Sequence, residues 1–440
     1  MTAFASLYVP DELGQAVSGR AWLAAMLETE RALARAGALA GAVPDDAASV
    51  IAAACDVERY DWETLLREGR SVGNPAEPLV RALVEQVGED AGRYVHLGAT
   101  SQDVVDTAAM LVTRRCLGLV LADLGRVADA TASVARQHRD TPMAGRTMLQ
   151  HAVPTTFGLK AAGWLVAAVD AGARLSDLRA NGLAAQLGGA AGTLAGLGDR
   201  ALDVSAHFAA ELGLPEATLP WHTNRVRIAE LGAALAVVCL VASKQGLDLQ
   251  LLAQTEVGEV RITGDGGGSS AMPHKRNPVD AMWARAAAEL GRAQASVLIS
   301  APAAEHERAG GAWQAEWDAI SGALAATGGA VAALARALEA LEVDAARMRT
   351  NLDLTGGGIV SERLALVLTE RLGRTAARDL VRQASGEGGT LAEALATADT
   401  GLSAAELEAA LDPATYLGAA GPLVDRALAR YEAERERIFG

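Results

Sequence analysis

A chain of 440 residues is too long for one small core and is expected to form two or three lobes. Half of its residues are hydrophobic but only 4% are aromatic, and alanine and glycine dominate, which favours closely packed helices over sheets. The formal net charge of −15 argues against nucleic acid as a partner, and it requires an anionic substrate to be drawn in by a local group of cations.

Residues 1–105 mix helices with proline and glycine breaks. Arg20 to Ala36 carries Trp22, Leu23, Met26, Leu27 and Leu33 at helical spacing, and Leu79 to Val87 reads as a second, shorter helix. From Asp106 the character changes. Thr107 to His138 holds no proline and predicts one helix of roughly 48 Å, with Asp106 or Thr107 as its cap. Phe157–Arg179, Arg225–Glu259, Val279–Ile299 and Ala319–Ala340 are further long helices, and Gly188-Gly189 marks an interruption near Ala184–Leu197. Helices this long predict an elongated bundle over 106–350 that buries apolar stripes against other subunits as well as against itself. A helical C-terminal domain occupies 351–440, with a helix boundary at Gly386-Glu387-Gly388-Gly389.

Cys55, Cys116 and Cys239 form no CxxC pair and read as reduced, buried thiols. Met1 to Val9 does not resemble a signal peptide, and the longest apolar run, Leu231 to Ala242, is too short to span a bilayer. The expectation is a soluble, cytoplasmic protein without membrane or nucleic-acid partners.

Gly266-Gly267-Gly268-Ser269-Ser270-Ala271-Met272-Pro273-His274-Lys275-Arg276-Asn277-Pro278 is the densest polar stretch. Its glycines free the backbone and its prolines bar a regular helix, so hydroxyls, an imidazole, an ammonium, a guanidinium and an amide hang on a hinge suited to a closing lid. Four other polar segments interrupt this alanine-rich chain. His96 to Asp103 precedes a long helix, where its polar groups either receive a carboxylate at the helix N-terminus or cap the helix through Thr100, Ser101 or Asp103. Gly145 to His151 lies in a presumed loop between prolines, Trp221 to Arg227 opens another helix, and Glu305 to Trp317 holds EHER and WQAEW. No HExxH, P-loop or GxSxG string occurs, so neither a metal nor a nucleotide cofactor is expected.

The glycine-rich string resembles the GSSxMPxKxN signature of the fumarase/aspartase superfamily. HLGATSQDVVDT (96–107) and GRTMLQHAVPTT (145–156) resemble its other two signature regions. PWHTNR, QTEVGEV, EHER, WQAEW, EVDAARMRTNLDLT and LDPATYLG extend the similarity to the bacterial carboxymuconate cycloisomerases of that superfamily, over nearly the whole chain. The resemblance implies an all-α fold and a homotetramer with a twenty-helix core, whose active sites each draw the three regions from three chains. It implies Ser269 as the catalytic hydroxyl, with Lys275 and Asn277 binding carboxylate and stabilising an enolate-like intermediate. Thr100, Ser101, Gln102, Thr147 and Gln150 fall on substrate-binding positions, and Ser270 and Met272 belong to the same signature string. His96 and His151 are further candidate carboxylate partners, as are Arg146, His222, Arg225 and Arg276, with a structural salt bridge or cap as the alternative for each. No cofactor is implied.

Two departures from the superfamily pattern narrow the chemistry. Many of these lyases carry a histidine that protonates the leaving group where this chain has Met148, and a glutamate paired with it where this chain has Met282. Without that acid, hydroxide or an amide-type nitrogen leaves poorly, whereas a carboxylate leaves or attacks unprotonated. The implied reaction is therefore lactonisation of 3-carboxy-cis,cis-muconate in the protocatechuate branch of aromatic degradation. Nitrite loss from a nitrosuccinate is the alternative, adenylosuccinate lyase chemistry a weaker one, and a non-catalytic crystallin-like role the bland one.

Overall fold

Proline-free stretches become helices, and their small side chains set how closely those helices approach. The computed structural model describes residues 3–263, 267–268, 271–300, 303–386 and 389–440. An N-terminal layer contains helix α1 (Gly19–Leu39) and the shorter helices Asp45–Ala54, Trp62–Gly69 and Ala76–Gly92. The central bundle follows as α2 (Ser101–Gln137), α3 (Phe157–Asp177), α4 (Val226–Ala253), α5 (Val279–Ser300) and α6 (Ala312–Glu339). Close packing of α4 on α5 is visible at Gly246, where a Cβ would lie 2.9 Å from the Ala281 carbonyl oxygen.

After Asn351 a satellite core gathers Leu364, Leu368, Ala377, Leu391 and Leu395. Gly386 ends one helix and Leu391 begins the next, with Glu387 and Gly388 outside the described residues. The last helix, α7 (Ala420–Phe439), returns to the bundle and places Val424, Leu428, Tyr431 and Ile438 in the main core. Arg435 donates to both carboxylate oxygens of Asp129 on α2, each at 2.8 Å.

Three sequence expectations change. First, α2 starts at Ser101 rather than Thr107, capped at Thr100, whose N–H donates to the Asp103 carboxylate at 2.9 Å. Asp106 lies inside the helix. Second, Leu183–Gly189 is a buried, non-helical strand of chain because α2 competes for its backbone. The Gln186 N–H donates to Thr107 Oγ1 at 3.0 Å, and that hydroxyl donates to the Gln186 carbonyl at 3.0 Å. Third, the stretch around residue 148 is an antiparallel hairpin of β1 (Pro142–Thr147) and β2 (Gln150–Thr156), not a loop. A second pair, β3 (Val260–Ile262) with β4 (Leu341–Val343), ties the chain beyond α4 to the end of α6.

Counting an uninterrupted apolar run also underestimates two helices. Windows of 18 residues in α4 and α6 have mean hydropathies of 1.9 and 1.4 and are long and apolar enough to cross a membrane. Bundle packing buries 83% of the α6 window but only 44% of the α4 window. The face that α4 leaves uncovered includes Val226, Leu240, Leu247 and Leu251.

Candidate active site

The first constellation forms where α2 begins. Asp103, 1% exposed, accepts from the N–H groups of Thr100, Gly188 and Gly189 at 2.9, 3.0 and 2.9 Å. His222 Nε2 lies 2.5 Å from its Oδ1. One carboxylate thus locks the helix start, the Gly188-Gly189 turn and the approach to α4 into one geometry. A buried carboxylate with four donors is well compensated for its lost hydration.

One turn further, Asp106 pairs with Arg225, whose Nη1 and Nη2 donate to its two oxygens at 2.7 and 3.1 Å. Arg225 also donates from Nε to Glu316 Oε1 at 3.1 Å and from Nη2 to Glu316 Oε2, and its guanidinium lies 4.9 Å over the Trp221 ring. Trp313 Nε1 and Gln102 Nε2 complete Asp106 at 2.9 and 3.1 Å. Burial works against the Arg225 charge, but Asp106 and Glu316 together push its pKa above the ordinary value. Burial also raises Glu316 above its ordinary value, against the pull of Arg225. His222 and Arg225 are therefore occupied by the chain's own carboxylates, the structural alternative to a role as substrate partners. Arg308 joins this wall by donating from Nη2 to the Gly189 carbonyl.

The second constellation is the hairpin and its footing. Arg146 donates to both oxygens of Glu259 at 2.9 and 2.7 Å, and Asn351 Nδ2 donates to the same carboxylate at 2.8 Å. Glu259 is fully buried, so this bidentate pair anchors β1 to the chain after α4. Arg146 too is spent on structure. Beyond the anchor the hairpin projects outward: Thr147 and Gln150 are exposed, and Met148 and Leu149 at the tip are 98% and 75% exposed. Their φ values of 51° and 66° are those of a tight two-residue turn that usually takes Asn-Gly. His151 sits half-buried at the stem, its pKa lowered by burial and by the Arg146 charge, against Glu259.

The lid lies beyond β3. Gly267 and Gly268 face Asn277 and Arg276 across its neck, with the Asn277 N–H donating to the Gly267 carbonyl at 2.8 Å. A Cβ on Gly267 (φ 84°) would lie 2.2 Å from the Asn277 oxygen, so only glycine closes this neck. Met272, His274, Lys275 and Arg276 are exposed and Asn277 is half-buried. Ser269 and Ser270 lie outside the described residues. Met282, on the first turns of α5, is 45% exposed.

The sequence-predicted residues thus fall into groups. His96, Thr100, Ser101 and Gln102 gather at the start of α2, while Thr147, Gln150 and His151 ride the hairpin and Met272, Lys275 and Asn277 the lid. Gln102 is 3% exposed and turns its amide N–H groups to Asp106 and the His222 carbonyl. Sequence reading overlooked Glu30 on α1. It is 1% exposed, with Oε1 2.6 Å from His96 Nδ1. A glutamate between Thr29 and Arg31 in a charged helix carries no mark of burial; only its i+3/i+4 relation to Leu27, Leu33 and Ala34 on the core-facing side offers a clue.

The profile of a protein family described as "Lyase" matches residues 10–289, and one described as "Adenylosuccinate lyase C-terminus" matches residues 357–427. Nitrosuccinate lyase of Streptomyces davaonensis is 51% identical over 436 residues, covering 94% of this chain and 91% of that one. The 3-carboxy-cis,cis-muconate cycloisomerase of Pseudomonas aeruginosa is 47% identical over 428 residues, covering 94% and 93%. The crystal structure of 3-carboxy-cis,cis-muconate lactonizing enzyme from Pseudomonas putida superposes with a TM-score of 0.93 at 43% identity, over 100% of both chains.

Proposed function

This chain belongs to the lyase family of the fumarase/aspartase superfamily, and from that premise we propose that it is a cycloisomerase converting 3-carboxy-cis,cis-muconate to 4-carboxymuconolactone. The reaction is redox-neutral. An internal carboxylate oxygen adds to a double bond, charge passes into the neighbouring carboxyl group as an aci-carboxylate, and one proton is delivered to carbon. Lys275, Asn277 and lid N–H groups stabilise the dianion, and Ser269 delivers the proton once the lid excludes water. Thr100 and Ser101 at the α2 N-terminus bind a substrate carboxylate. Thr147, Gln150 and His151 approach from the hairpin, Ser270 and Met272 line the lid, and Gln102 holds the floor.

One observation carries this reading: Met148 and Met282 stand where the superfamily's proton-delivering histidine and its glutamate would be, while the carboxylate-binding and lid residues are kept. Such a site suits a nucleophile or leaving group that needs no acid. The relatives named for carboxymuconate favour the ring closure. The nitrosuccinate-acting relative supports a second reading, since nitrite also departs as a stable anion.

Assembly follows from the same surfaces. The exposed apolar hairpin tip and the uncovered face of α4 support a homotetramer in which the first region, the hairpin and the lid of different chains meet at each site. As a soluble enzyme it acts in the cytoplasm, in the protocatechuate branch of aromatic degradation. Supplying purified protein with carboxymuconate and following loss of diene absorbance, beside nitrosuccinate and nitrite release, tests the assignment. Loss of diene absorbance with no nitrite is the expected result; the reverse transfers the assignment to nitrite elimination.

A further inference from the structure

We propose that Glu30 is a positioning residue for substrate binding, holding the His96 imidazole with its Nε2–H presented as a fixed cationic donor to one substrate carboxylate. The inference rests on reading the site as a polycarboxylate pocket. Its geometric basis is independent of that reading. Glu30 Oε1 lies 2.6 Å from His96 Nδ1, and the Glu30 side chain is wholly buried. Its other oxygen, Oε2, is buried with no hydrogen-bond partner. Burying a carboxylate so poorly served by hydrogen bonds is costly, and a positive charge beside it offsets that cost; the group in contact with it is His96. The imidazole side chain is 18% exposed, and among the described residues its Nε2 has no hydrogen-bond partner.

The backbone reinforces this. His96 adopts φ 60°, a left-handed conformation unusual for a residue with a side chain, four positions before the Thr100 cap of α2. Local strain is retained where the surrounding structure holds a side chain in one place. The charged groups facing His96 are Glu30 on α1 and Asp103 in the first turn of α2. Cys55 lies near Glu30, but burial pushes its thiol up to about 12 and it stays neutral. Burial opposes the imidazolium, yet Glu30 and Asp103 together raise the His96 pKa above its ordinary value. The sign follows: the cation is fully present below the ordinary histidine value and is lost as pH rises through the raised one. Substrate affinity, and the pair's contribution to stability, fade on that same basic limb.

Glu30→Gln keeps the shape and removes the charge. At neutral pH the KM for carboxymuconate should rise roughly tenfold, the loss of one charge-assisted hydrogen bond, with kcat changed less than about threefold. The basic limb of kcat/KM should move down in pH. A purely structural Glu30 would lower the unfolding temperature and leave that limb in place, which overturns the proposal. A second measurement needs no substrate: the histidines labelled with 13C are titrated by nuclear magnetic resonance, and the His96 signal is identified by its loss in His96→Asn. A midpoint above the ordinary histidine value that falls in Glu30→Gln supports the pair. A midpoint at or below that value, or one unmoved by Glu30→Gln, overturns it even if turnover is brisk. If the pair titrates as expected but neither carboxymuconate nor nitrosuccinate is consumed, the pair stands and the reading of the reaction falls.

Discussion

The start of α2 and the hairpin with its lid are two halves built on opposite principles. Around α2, Asp103, Asp106, Arg225 and Glu316 are each 3% exposed or less, and each finds its partners within the chain. On the hairpin and lid, Thr147, Met148, Leu149, Gln150 and Lys275 project from the surface. Among the described residues they are tied down at the base, where Arg146 grips Glu259, Met143 and Ala144 are buried, and Gly267 closes on Asn277. The contrast teaches that the charged groups around the start of α2 are satisfied within one chain, whereas the hairpin and the segment after β3 leave theirs on the surface. Buried paired ions are costly to separate, whereas exposed side chains are open to a partner.

Breaking the outward half should cost activity without stability. Ser269→Ala is expected to lower kcat by roughly a thousandfold, the usual scale for losing a positioned proton donor, with an unchanged unfolding temperature and particle size. Near-normal turnover would remove the serine from the mechanism. Breaking the inward half should do the opposite. Arg225→Met strands two buried carboxylates and is expected to destabilise the protein by about 3–5 kcal/mol in urea titrations. A loss under about 1 kcal/mol would show that water already reaches Asp106 and Glu316.

Smaller effects sharpen the boundary between the halves. Met148→Asp puts a charge on the exposed tip, so the chain's own stability should change by no more than about 0.5 kcal/mol. Sedimentation should nevertheless show weakened assembly, and turnover should fall with it. An intact, active oligomer would mean that the tip faces solvent. Gentlest is the paired change Met148→Asn with Leu149→Gly, which suits the positive φ values of the turn. It should firm the hairpin by about 1 kcal/mol in hydrogen exchange at β1 and β2. No gain there would mean that the tip is held by contacts outside the turn.

Legibility in the sequence followed the range of the interaction. The bodies of α3, α5 and the C-terminal half of α2 were readable because apolar spacing and the lack of proline act within a few turns. Gly267 was readable as a position that needs glycine's backbone freedom for a similar reason, and Met148 with Met282 were readable as departures because the flanking signature strings align them. Less was legible where two elements compete for one group. Asp106 looks like a cap from its place before an alanine-rich run, but Arg225, 119 residues away, draws it inside the helix. Gly188-Gly189 looks like a helix interruption, yet those N–H groups serve Asp103 rather than a helix of their own.

By itself the sequence determined that this chain would be helical, acidic and short of the proton-delivering pair, since propensity, charge and residue identity are carried by each residue wherever it lies. Only the tertiary structure decided which cations remain available for a substrate. Arg146, His222 and Arg225 are equal candidates on paper, and folding gives each a buried carboxylate partner, because a polar or charged group left unpaired is costly in the interior. The same rule, applied to a glutamate that no pattern marks, couples Glu30 to His96.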